Sequence, residues 1–151
     1  MQKKAIKFPG SQGQLAGLIE QQDANSKTFV LFAHCFTCGK DFIAATYISK
    51  ALVAAGFAVF RFDFTGLGNS DGDFANTNFS SNVEDLVAAA KYLEENHQAP
   101  SILIGHSLGG AAVLKAAAQI TKAKAVVTIL SLIHISEPTR LGMLSRMPSS
   151  A

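Results

Sequence analysis

The sequence holds few cysteines, little charge of either sign and no long apolar run. Two cysteines in 151 residues are too few for a disulfide framework, and their scarcity fits a reducing cytoplasm. Charged side chains make up 16% of the chain, 13 Lys plus Arg against 11 Asp plus Glu. No basic cluster of the kind that follows nucleic acid or anionic lipid stands out, so no nucleic-acid partner is expected. The longest apolar stretch, Ala51 to Phe60, is about half of what a bilayer span needs and carries Gly56 in its middle. After Met1-Gln2-Lys3-Lys4, the place where a signal peptide would keep its apolar segment is taken by Phe8-Pro9-Gly10-Ser11-Gln12-Gly13. A soluble, cytoplasmic protein with no membrane partner is the expectation. At 48% hydrophobic residues, a chain of this length suits one packed domain rather than a disordered one.

Ala5 to Phe8 and Gln14 to Gln21 are extended segments joined by a Pro-Gly-Ser-Gln-Gly turn, which reads as a hairpin. Thr28 to Ala33 is apolar without alternation, the pattern of a strand covered on both faces. A helix follows, with Ala44, Ile48, Ala51, Leu52 and Ala55 on one face and Gly56 at its C-terminal cap. Ala58 to Asp63 is a second central strand. Ser81 and Glu84 have the spacing of a capping box. It opens a helix striped by Val83, Leu86, Val87, Ala90 and Leu93 and ended by His97-Gln98-Ala99-Pro100. Strand Ser101 to Ile104, helix Leu108 to Ile120 and strand Ala125 to Ile129 complete the pattern. A hairpin followed by βαβαβαβ predicts an α/β fold with a mostly parallel sheet.

Beyond Ile129 neither period persists, and Pro138 interrupts any helix. Leu130 to Arg140 resembles the in-frame translation of a transposase-type sequencing-library adapter. Residues 1 to 129 are thus expected to be the N-terminal portion of a domain. Residues 130 to 151 are expected to be a non-native tail, exposed or poorly ordered. The alternative is a natural loop continuing from the strand at Ala125.

Gly105-His106-Ser107-Leu108-Gly109 matches Gly-x-Ser-x-Gly between a predicted strand and a predicted helix, the context of a nucleophile elbow. A serine hydroxyl is a weak nucleophile and must be exposed where a base can reach it. The glycines serve a strained turn, and the helix start adds N–H groups and positive dipole for a developing oxyanion. The plain alternative is a glycine-rich turn with a capping serine. Asp63-Phe64-Thr65-Gly66-Leu67-Gly68-Asn69-Ser70 fails as a dinucleotide loop because Asp71 stands where the third glycine belongs. It reads as a structured turn beside the site.

Cys35-Phe36-Thr37-Cys38 lies between a strand and a helix, as a thioredoxin-like redox pair would, and thiol redox chemistry is the rival function. Two small, partly buried residues are the simpler reading. A metal site from His34, Cys35 and Cys38 lacks a fourth ligand, and no metal or cofactor is expected. Of the histidines, His34, His97 and His106 precede or abut Ser107, and His134 lies in the suspect tail. Too few residues follow Ser107 for further strand–helix repeats of roughly 30 residues each, so the catalytic domain reads as cut short.

The chain resembles the α/β-hydrolase superfamily, and more closely the hydrolase half of bacterial proteins that add a C-terminal OsmC-like peroxide-reductase domain. The likeness is carried by His34 to Asp41, Arg61 to Gly68, Asp73 to Ser80 and Gly105 to Gly110, and it covers residues 1 to about 129. It implies Ser107 as nucleophile, with the backbone N–H groups of Phe36 and Leu108 as oxyanion donors. It also implies a small-molecule acyl substrate, no cofactor, and an OsmC-like domain in the parent chain. The catalytic acid and histidine that follow the nucleophile in this fold have no counterpart. The expected function is hydrolysis of ester or related acyl bonds through an acyl-serine in the parent, with this fragment inactive. A thiol redox protein and a non-catalytic module are the alternatives.

Overall fold

A computed structural model of the chain describes residues 1–35 and 39–129. β1 (Gln2–Gly10) and β2 (Gly13–Gln21) form the expected antiparallel hairpin, with Phe8 opposite Leu15. β3 (Phe29–Ala33) and β4 (Ala58–Phe62) are buried at every position, as their unalternating sequences require. α1 (Ile43–Ala54) joins them, and α2 (Phe79–Asn96), β5 (Ile102–His106), α3 (Leu108–Ala116) and β6 (Ala125–Ile129) follow.

The six strands form one sheet in the order β1-β2-β4-β3-β5-β6. β4, β3, β5 and β6 run parallel, and β2 is antiparallel to β4. From β3 the chain moves to one side for β4 and to the other for β5. That reversal makes the C-terminal ends of β3 and β5 the topological switch point, where α/β sheets place their sites. One hydrophobic cluster joins Phe8, Leu31, Phe60, Leu86, Leu93 and Val113 beneath α2 and α3. The opposite face carries a smaller cluster of Val30, Phe32 and Val59 with Ala45 and Val53 of α1.

Three sequence expectations shift. The buried face of α1 is Ala45, Ser49 and Val53, while Ala51 and Ala55 of the expected stripe are exposed. Ser49 turns inward because its Oγ donates to the buried Glu20 carboxylate at 2.6 Å, a contact that a count of apolar residues misses. α2 starts earlier than expected, capped by Asn78: Ser81 N–H donates to Asn78 Oδ1 (2.8 Å) and Asn78 N–H to Ser81 Oγ (3.0 Å). Ser81 is therefore the far member of a capping box, not its first residue. α3 stops at Ala116, short of Ile120. The end of α1 agrees with expectation, since Gly56 N–H bonds Val53 O and Phe57 N–H bonds Leu52 O, the paired closure of a Schellman motif. No helix among the described residues is long and apolar enough to cross a membrane.

Candidate active site

β5 delivers the chain to Ser107 and α3 leads it away. At φ 57° and ψ −120°, Ser107 is the only non-glycine with positive φ among the described residues. Such a conformation costs about 1–3 kcal/mol and persists only where its surroundings over-determine it. Here Ser107 N–H donates to Ile129 O (2.8 Å) and Ser107 O accepts from Gly110 N–H (2.9 Å). A Cβ on Gly105 would stand 2.2 Å from Gly109 O. Helix start and strand end thus touch backbone to backbone. Ser107 is half-buried, and its side chain is not spent on capping α3. Leu108 opens that helix, so its N–H is one of those that a helix start leaves without an intrahelical partner, at the positive end of the dipole.

His34 is 1% exposed, its Nδ1 bonded to Cys35 O and its ring edge-on to Phe64 at 5.2 Å. Burial pushes its pKa down, which favours the neutral imidazole. The His106 ring lies 5.7 Å from that of Phe42, and His106 Nδ1, His34 Nε2 and His97 Nε2 are buried without a hydrogen-bond partner. Among the described residues no imidazole is hydrogen-bonded to Ser107. Cys35 is buried and disulfide-bonded. Phe36 and Cys38, as well as His134, lie outside the described residues. No group of three or more His, Cys, Asp or Glu among the described residues could hold a metal ion.

On β2, on and just past β4 and on α2 lies a set of buried charges to which the sequence reading assigned no individual role: Glu20, Arg61, Asp63 and Asp85, each at most 1% exposed. Arg61 Nη2 lies 2.5 Å from Glu20 Oε1. Burial works to raise the Glu20 pKa, but hydrogen bonds from Ser49 and Arg61 and the guanidinium charge bring it below the ordinary value. The available signal was a charge inside an otherwise apolar strand, as in Ala58-Val59-Phe60-Arg61-Phe62.

A family model described as serine aminopeptidase, S33 matches residues 24–148. An uncharacterized 31.7 kDa protein from the traX-finO intergenic region of Escherichia coli is 31% identical over 105 residues, 68% of this chain and 36% of the relative. The mitochondrial palmitoyl-protein thioesterase ABHD10 of Mus musculus is 26% identical over 131 residues, 87% of this chain and 42% of the relative. Among solved structures, the esterase domain of a Rhodothermus marinus protein is 47% identical with a TM-score of 0.71, over 87% of this chain and 51% of that one. The chain therefore spans about half or less of each of these three proteins.

Proposed function

Because the chain belongs to the serine aminopeptidase S33 family of α/β-hydrolases, we propose that it carries the nucleophile of an enzyme that hydrolyses ester or related acyl bonds in small molecules. The observation that carries this reading is the Ser107 turn, a strained serine held between β5 and α3. In the reaction, Ser107 Oγ attacks the acyl carbonyl and an imidazole takes its proton. The backbone N–H groups of Leu108 and Phe36 stabilise the tetrahedral oxygen. Collapse breaks the bond to the leaving oxygen or sulfur, which receives the proton, and water then cleaves the acyl-serine with the same imidazole as base. The esterase and thioesterase names of two relatives support an acyl carbonyl as the target.

On this reading residues 1–129 are the N-terminal portion of the domain. The acid and histidine belong to natural sequence beyond it, the fragment is inactive, and residues 130–151 are a non-native tail. The parent acts in the cytoplasm and adds an OsmC-like domain. Sequencing the native locus across the codons for Ile129 and Leu130 tests the tail, since continuous coding of Leu130 to Ala151 ends that idea. A fluorophosphonate probe with mass-spectrometric mapping tests the nucleophile. Labelling is expected at Ser107 in the chain extended by its natural sequence, lost in Ser107→Ala and weak in the present chain. Adducts elsewhere sink the assignment, and efficient labelling of the present chain sinks the claim that the base is missing.

The disulfide at Cys35 favours a second reading, thiol–disulfide exchange through Cys35 and Cys38. Reversible thiol release under mild reductant, without any serine labelling, selects it. Silence in both assays selects a non-catalytic module.

A further inference from the structure

Asp63 stands just past β4, and at 1% exposure it directs its carboxylate to two separate loops. Oδ1 accepts from the backbone N–H of Lys40 (2.7 Å), and Oδ2 from Lys40 Nζ (3.0 Å) and the backbone N–H of Asn69 (3.0 Å). Lys40 belongs to the β3–α1 connection and Asn69 to the turn after β4. Both loops rise from the C-terminal edge of the sheet, where Ser107 also lies. The approach is close, since a Cβ on Gly68, at φ +51°, would stand 2.4 Å from Asp63 Cγ.

Lys40 is gripped a second time, because Arg61 Nη1 donates to Lys40 O and Arg61 is itself anchored on Glu20. Lys40 Nζ also reaches Asn69 Oδ1 (3.1 Å) and Asp41 Oδ2 (3.2 Å). Burial opposes charge on Lys40, yet the hydrogen bond and charge of Asp63 outweigh it and raise the lysine pKa. The other stem of the same connection lies against the first turn of α3, since a Cβ on Gly109 would meet Ala33 O at 2.3 Å and His34 O at 2.6 Å. A buried ion pair is weak evidence for stability. A carboxylate that binds two backbone N–H groups from different loops fixes where those loops sit.

We propose, building on the acyl-hydrolase reading above, that Asp63 acting through Lys40 is a positioning residue for oxyanion stabilisation. It fixes Lys40, at the far end of the β3–α1 connection, against the turn after β4. Donors in such a site must sit within about 0.5 Å of the productive geometry. The clamp therefore bears on the tetrahedral state and leaves ground-state binding of the substrate alone.

The test uses the natural full-length protein with p-nitrophenyl acetate as substrate and a trifluoromethyl ketone as tetrahedral-adduct inhibitor, rates being expressed per folded protein. Asp63→Asn is expected to lower kcat about tenfold or more with KM within about twofold, and to weaken the ketone by the same factor. Lys40→Met is expected to follow it, and Lys40→Arg to restore most of the loss. Lys40→Met and Lys40→Arg decide the matter if Asp63→Asn does not fold. An unchanged kcat, a kcat loss with ketone affinity intact, or Lys40→Arg no better than Lys40→Met overturns the proposal. Ser107→Ala is run in parallel. If it retains activity the hydrolase reading itself fails, and if it is dead while Asp63→Asn is unaffected only the clamp does.

Discussion

The first turn of α3 rests on the end of β3 so closely that a Cβ on Gly109 would stand 2.3 Å from the carbonyl oxygen of Ala33. A backbone oxygen cannot swing aside as a flexible side chain does. Gly109→Ala must therefore push α3 away from the sheet and take the Ser107 turn with it. The expected cost is about 1–3 kcal/mol, the range for an overpacked core, measured as a lowered urea midpoint. A loss below about 0.5 kcal/mol, the scatter of a neutral surface change, would show that the helix start has room to spare.

The Ser107 turn and the central strands are legible in the sequence because they depend on local features: glycine spacing, an apolar run of strand length, a helix start. The inward face of α1 is not legible, because Ser49 is buried by a hydrogen bond to Glu20, which is remote in sequence. Asn78 escapes for a related reason, since Ser81 and Glu84 offer a competing capping pattern three residues on. Arg61, Glu20, Asp63 and Lys40 form a network whose partners lie 21 to 41 residues apart. A periodicity argument sees only that charges interrupt apolar runs.

Removing Glu20 leaves the Arg61 charge buried and unmatched, and removing Arg61 leaves the buried Glu20 carboxylate only the half-exposed Lys3 ammonium, 3.4 Å from its Oε2. Arg61→Met and Glu20→Leu are each expected to cost about 3–5 kcal/mol in chemical denaturation. The double substitution is expected to cost less than the sum by more than about 1 kcal/mol, the signature of direct coupling. It does not reach zero, because Ser49 Oγ and Lys40 O lose partners as well. Additive losses would contradict the pairing.

Asp85 ties the hairpin turn to the loop after β4. Its Oδ1 accepts from Ser11 N–H (3.1 Å) and Oγ (2.8 Å), and its Oδ2 from Thr65 N–H (2.9 Å) and Oγ1 (2.6 Å). Asp85→Ala orphans the buried donors of Thr65 and loosens those of the exposed Ser11, and is expected to cost about 1–3 kcal/mol, with faster amide exchange at Thr65. Asp85→Asn keeps one acceptor oxygen and is expected to lie between. Unchanged exchange at Thr65 would show that the loop is held by other contacts.

Stability is expected to fall on mild acidification because of His34. Its pKa is held down chiefly by burial, against a partial offset from the hydrogen bond to Cys35 O. Below about pH 6.5, the ordinary histidine value, the unfolded chain binds a proton that the native state refuses. Stability therefore rises with pH through this window and is flat above it. The slope approaches about 1.4 kcal/mol per pH unit for each histidine so affected. His97, whose pKa is also lowered by burial and by Lys4, acts in the same direction, so His97→Gln is the background in which to measure. Glu20 works lower down: its depressed pKa gives stability that is complete above the ordinary carboxylate range and is lost only as pH falls through the folded value. Urea midpoints recorded from pH 8 to pH 5 are expected to show the histidine slope, and His34→Gln is expected to flatten it even if it lowers stability throughout. An undiminished slope in His34→Gln would mean that this imidazole takes up its proton in the native state as readily as in the unfolded chain, and the burial argument would fail.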